Sequence, residues 1–184
     1  MFPHKRNKPL LERTREYASA EDFCRIFKNE MTSLYWLALV LTVDKDKAEQ
    51  CFVVGLEECI SGNAVFKEWA RTWSKRVVIK KAIQLVCPTA ESTYDSPVIC
   101  AEANLDASAK FVLAAVSQLQ PLDRFVFVMS VLEGYADRDC SALLSCSPAE
   151  VLEARVRALQ VIERYSSSSL AGRGLVMNSR DLSA

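Results

Sequence analysis

Apolar residues at Phe23, Ile26, Phe27, Met31, Leu34, Leu37, Ala38 and Leu41 recur at spacings of three and four. That period predicts an amphipathic helix from about Ala20 to Thr42. Asp44 restarts the chain, and a second stripe of Ala48, Phe52, Gly55, Leu56, Cys59 and Ile60 predicts a helix that Ser61-Gly62-Asn63 ends. Phe66, Trp69, Ala70, Trp73, Val77, Lys80 and Lys81 follow helical spacing on a third helix, basic in character, that runs to about Val86. Three helices with short connections make one small bundle over residues 20–87, preceded by a basic arm at 1–19.

From Cys87 to Asp106 the periodicity lapses among Pro88, Pro97, Ser and Thr, so residues 88–106 read as a linker. Beyond it the pattern predicts helices over Ala107 to Leu119, Pro121 to Leu132, Asp137 to Leu144 and Pro148 to Tyr165, with a break at Gly134. These form a second bundle at 107–165, and Ser166 begins a polar tail at 166–184 expected to be disordered. The expected fold class is all-α: two small helical bundles joined by a linker, the C-terminal one containing a helix-turn-helix. Scarce glycine (5) and proline (6) in 184 residues point the same way.

Charge changes the picture locally. The 23 basic and 23 acidic residues cancel, which argues against strong whole-protein attraction to nucleic acid or anionic lipid. Residues 1–20, however, carry five Lys/Arg against two Asp/Glu, and residues 66–86 carry six against Glu68 alone. Residues 88–106 hold acids and no base.

Seven cysteines without a Cys-x-x-Cys pair read as buried thiols in a reducing cytoplasm. No metal site or cofactor is expected. Met1 to Leu10 lacks the apolar run of a signal peptide, and no stretch reaches the ~20 apolar residues that span a bilayer. A soluble, cytoplasmic protein with no membrane partner is expected. His4 is the only histidine, and no glycine-rich phosphate loop occurs, so the chain is not expected to be an enzyme.

Residues 119–162 resemble region 4 of a sigma-70 family RNA polymerase sigma factor of the small extracytoplasmic-function type. Leu119-x-Pro121-x-x-Arg124 resembles that family's L-P-x-x-x-R opening, and Leu132-Glu133-Gly134 its L-E-G. Asp139, Leu144 and Ser147 match its E-I-A-x-x-L-G-I-S, and Val151, Arg157, Ala158 and Ile162 its T-V-x-x-x-x-x-R-A-x-x-x-L. Residues 21–86 resemble region 2 through Leu37-Ala38, Ala48-Glu49 and Trp69, with Gln50, Val53 and Leu56 standing where the family has Asp, Gln and Phe. The resemblance implies core RNA polymerase and promoter DNA as partners, with an anti-sigma factor as a further candidate. It places polymerase binding at Glu49, Gln50, Val53 and Leu56.

Promoter opening needs cations for phosphates and aromatic faces for an unstacked base. Trp69, Trp73, Lys75, Arg76, Lys80 and Lys81 supply both; the alternative makes the tryptophans core anchors and the lysines a solvated face. In the last helix, Arg155 and Arg157 are the candidate DNA contacts. Ser147, Pro148 and Glu150 read as a capping box with proline at the first helical position. Glu153 precedes Arg157 by four residues, the favourable orientation for a helical ion pair.

Leu152, Val156 and Leu159 occupy positions where the family commonly has Lys, Ser and Arg, and Arg155 replaces a usually buried leucine. Ser145 stands for the turn glycine. An apolar stripe there can be extra core, meet the neighbouring domain, or bind another protein; burial within the protein is the first expectation. Two functions follow: a divergent sigma factor, or a sigma-like helical interaction protein that has lost sequence-specific DNA binding.

Overall fold

A computed structural model of the chain describes residues 16–89 and 106–177, with side chains through Ser168. Most of the expected linker, residues 90–105, and the segments 1–15 and 178–184 lie outside the described residues. The described elements are helices, joined by turns and one isolated antiparallel bridge between Tyr17 and Phe66. The chain divides into two compact units, one holding residues up to Leu39 and Lys45–Leu85, the other Val40–Asp44 and residues from Val86 onward.

Along the chain α1 spans Ala20–Asn29, α2 Met31–Thr42, α3 Lys45–Ser61 and α4 Ala70–Val86, the last preceded by a 3-10 turn at Lys67–Trp69; these build the first unit, except that the last residues of α2, from Val40, and Val86 belong to the second. Ser19 caps α1: its hydroxyl accepts from the Asp22 amide at 3.2 Å, and Asp22 accepts from the Ser19 amide at 3.0 Å. Lys67 Nζ lies 3.1 Å from the Asp22 carboxylate, tying the cap to the turn before α4. Phe23 and Phe27, one helical turn apart, bury the inner face.

The single helix expected over Ala20–Thr42 is interrupted. Glu30 takes φ −110°, ψ 19°, off the helical region, although its amide still reaches the Ile26 carbonyl at 2.8 Å. The two segments differ physically. α1 is amphipathic, whereas α2 buries Leu34, Leu37, Ala38, Leu39, Val40 and Leu41, covering nearly its whole circumference. It ends at Val43, a buried β-branched residue at φ 52°, where a side chain costs about 1 to 2 kcal/mol. Gly55 of α3 is buried against α4, where a Cβ would meet a Val78 methyl at 3.4 Å, an ordinary van der Waals contact.

The second unit is built from α5 (Ala107–Val116), α6 (Pro121–Phe127), a π turn (Val128–Leu132), α7 (Asp137–Leu144) and α8 (Pro148–Met177). Asp106 caps α5, its carboxylate accepting from the Ala109 amide at 2.7 Å. Every residue of α6 is buried, and α6 packs against α8. Arg124, the arginine of the L-P-x-x-x-R resemblance, is among them. Within this unit its Nε donates to the Leu41 carbonyl at 2.9 Å, a structural use that satisfies a buried cation.

Gly134 follows the π turn at φ 71°, a conformation that favours glycine. α8 extends to Met177, past the point at Ser166 where a tail was expected. The serines are accommodated by back-bonding: Ser166, Ser167 and Ser168 each donate a hydroxyl to the carbonyl four residues earlier, at 2.8, 3.0 and 2.9 Å.

Candidate interaction surfaces

The α7–turn–α8 segment is set by local chemistry. Ser145 occupies the left-handed region at φ 53°, ψ 39°, a backbone conformation that favours glycine. The expected capping box is present: Ser147 N–H donates to Glu150 Oε2 at 2.7 Å, and Glu150 N–H to Ser147 Oγ at 3.2 Å. The bond from the Ser147 amide, with a smaller contribution from the Ser147 side chain, holds the Glu150 carboxyl below the usual range. One of the two acids at the start of α8 thus serves the helix itself.

Val151, Ala154 and Ala158 form the inner face of α8 and are fully buried. Opposite them, Leu152, Val156 and Leu159 are 55%, 47% and 45% exposed. Burial of this stripe was the first expectation, and the structure overturns it. The inner positions of the helix are already filled by Val151 and two alanines, whose small side chains let α8 sit close to the core. Val131 and Leu132 are exposed as well, adjoining Ser130, whose hydroxyl accepts from Arg155 Nε at 3.0 Å.

Both candidate DNA contacts on α8 are engaged within the unit. Arg155 also forms an ion pair with Asp137. Arg157 grips Asp123 of α6 with two nitrogens: Nε lies 3.2 and 3.1 Å from the two carboxylate oxygens and a terminal nitrogen 2.7 Å from Oδ1. The Asp123 side chain is 7% exposed, whereas that of Arg157 is 49% exposed. Hydrogen bonding to Asp123 raises the Arg157 pKa, and Glu153 adds a weaker contact at 3.9 Å, the helical pair expected from spacing.

Asp123 was missed in the sequence, although a signal exists. It lies in a run, Pro121–Phe127, that is otherwise apolar apart from Arg124, and an acid buried there requires a cation. Residues 106–168 carry six Lys/Arg against eight Asp/Glu, so this unit offers no net positive field to a duplex.

On the first unit, Trp69, Trp73, Arg76 and Lys80 follow one another at four, three and four residues and share a face. Trp69 is 58% exposed and packs its ring edge-on to Phe66 at 5.3 Å, which in turn stacks on Tyr17 at 4.6 Å. Lys75 lies on another side of α4. Lys80 Nζ approaches Glu58 at 3.7 Å, and Lys81 forms a closer ion pair with the same carboxylate. Those contacts, chiefly the hydrogen bond from Lys81, lower the Glu58 pKa. The six candidates are therefore split, and two are partly neutralised.

The candidate polymerase-binding residues do come together. Glu49, Val53, Leu56 and Ile60 lie along one line of α3 at helical spacing, with Gln50 beside it. Val53 and Ile60 are 54% and 43% exposed, Glu49 and Gln50 are exposed, and Leu56 is half-buried. Ile60 belongs to this face and was not singled out for it.

Among the described residues no group of three His, Cys, Asp or Glu side chains is disposed to hold a metal ion, and no helix is long and apolar enough to cross a membrane. Cys51, Cys59 and Cys140 are buried, and burial pushes each thiol up to about 11. Cys24 and Cys87, in contrast, are exposed rather than buried as expected.

No family model matches this chain, and no curated protein matches it. Among solved structures it is similar to the sigma factor RpoE of Bartonella quintana, from a co-crystal structure with the anti-sigma factor NepR. The identity is 16%, the match covers 80% of this chain and 98% of that chain, and the TM-score is 0.47. At that level the likeness assigns no residue a role.

Proposed function

We propose that this chain is a sigma-factor-like protein of transcription initiation that works through protein contacts, and that its helix-turn-helix docks protein instead of reading bases. One observation carries this reading: α8 turns Leu152, Val156 and Leu159 outward, while the arginine best matched to a DNA contact, Arg157, is held by Asp123. A base-reading helix needs polar or cationic groups directed at the groove. An exposed apolar stripe on a net-acidic unit fits a protein partner better. The α3 face of Glu49, Val53, Leu56 and Ile60 is the second protein surface, offered to core RNA polymerase.

The experiment is co-purification with core RNA polymerase, comparing the wild type with V53D/I60D on α3. The wild type is retained and the variant lost, with both proteins helical by circular dichroism. Absence of wild-type retention at low and at moderate salt would sink the reading.

A promoter-binding sigma factor is the second reading. Exposed Trp69, with Trp73, Arg76 and Lys80 on the same side, favours it, because an aromatic beside cations suits single-stranded DNA. It predicts that the full chain with core enzyme initiates at a promoter and that Trp69→Ala abolishes initiation.

A further inference from the structure

The outer face of α3 has an ordered chemistry along its length. Asp46 and Glu49 stand near its start, Val53, Leu56 and Ile60 follow, and exposed Glu57 flanks the apolar positions. The pattern is acid, apolar, then acid beside apolar. Glu49 is only loosely paired, with Lys45 at 3.9 Å and both side chains more than half exposed.

Residues 1–15 carry the complementary order. Lys5, Arg6 and Lys8 come first, Leu10 and Leu11 follow, and Arg13 and Arg15 close the segment, with Glu12 its one acid. The point at which this segment joins the described chain is fixed. Tyr17 stacks on Phe66, and the Ala18 amide donates to the Val65 carbonyl at 2.7 Å. Val65 lies four residues beyond Ser61, the last residue of α3, so the join is within about 14 Å of chain from that helix end. Fifteen extended residues reach roughly 50 Å, whereas the 17 residues of α3 span about 25 Å.

We propose that residues 1–15 dock on the outer face of α3 in the same molecule, Leu10 and Leu11 against Val53, Leu56 and Ile60, with the flanking cations paired to Asp46, Glu49 and Glu57. The tether makes this economical. A segment so attached is present at an effective concentration on the order of millimolar, so even a contact of millimolar intrinsic affinity is substantially formed. A partner that binds α3 must displace the arm. The inference needs only the face and the arm, and does not depend on which protein the face receives.

The test is methyl NMR of the full chain, with isoleucine, leucine and valine methyls labelled. Deleting residues 2–15 shifts the Val53, Leu56 and Ile60 signals, and adding a synthetic peptide of residues 1–15 to the deleted protein restores them. Replacing the five cations of the arm by glutamine reproduces the deletion, and raising salt moves the intact chain in the same direction. The substitutions E49Q/E57Q weaken peptide binding by roughly two- to tenfold, as loss of two exposed ion pairs does. Methyl signals of α3 that ignore the deletion would overturn the proposal. So would shifts confined to Leu152, Val156 and Leu159, or concentration-dependent shifts that survive the deletion, which mean a second copy on α3.

Discussion

Arg157 of α8 closes on Asp123 of α6 through a two-nitrogen grip, with the carboxylate buried and the guanidinium half exposed. The residue that most resembles a family DNA contact is thereby part of the packing between two helices. Truncating Arg157 leaves Asp123 without its main cation, so R157A costs about 1 to 2 kcal/mol in urea unfolding, less than a fully buried pair because the arginine keeps one side in water. D123N softens that loss. A double-mutant cycle across the two positions returns a coupling of about 1 kcal/mol, and additivity would refute the pair as a packing element.

Asp22 links the stability of the first unit to acid pH. Backbone bonding from Ser19 and then the Lys67 contact hold its pKa at about 2, against an ordinary value of 3.8. A carboxyl whose folded pKa is depressed contributes stability that is fully present above the unfolded value and fades as pH falls from 3.8 towards 2. D22N therefore costs about 1 to 2 kcal/mol at neutral pH, and the variant loses the corresponding slope in stability across that acid window. An unchanged slope in acid titrations followed by circular dichroism would show that the cap is not coupled to folding.

Ser145 makes a left-handed turn with a side chain in place. Relief of that backbone cost, offset by the greater freedom of glycine in the unfolded chain, gives S145G a gain of about 0.5 to 1 kcal/mol. Ser147, whose hydroxyl caps α8, behaves oppositely: S147A loses about 1 kcal/mol. Thermal unfolding of the two variants separates these effects by sign.

Several elements were legible because they were written in local chemistry. Asp137–Leu144 follows from a glycine break and an apolar period, and Ser147 to Glu150 from capping residues at fixed offsets. Less legible was whatever depended on distant partners. Nothing local to Arg157 reveals Asp123, 34 residues away. Spacing placed Leu152, Val156 and Leu159 on one face, but only the packing of Val151, Ala154 and Ala158 decides that this face is the outer one. The kink at Glu30 was invisible because its apolar neighbours keep the helical period on both sides of it. The extension of α8 was missed because four serines read as polar tail, although a serine hydroxyl can bond back to its own helix.

Because Leu152, Val156 and Leu159 are exposed, replacing all three by serine leaves the fold intact, with a change in urea midpoint corresponding to less than about 1 kcal/mol. The same triple variant loses whatever protein α8 engages. Loss of helicity on substitution would mean that the stripe is packed in solution, against its exposure here.

Binding of the full chain to mixed-sequence duplex DNA across a salt series, wild type against R157A, decides between a protein-docking and a DNA-reading α8. If α8 docks protein and Arg157 serves the Asp123 pair, R157A leaves both affinity and salt slope unchanged. A steep salt dependence that R157A reduces by about one unit of slope, with weaker binding, would contradict the account and return α8 to DNA recognition.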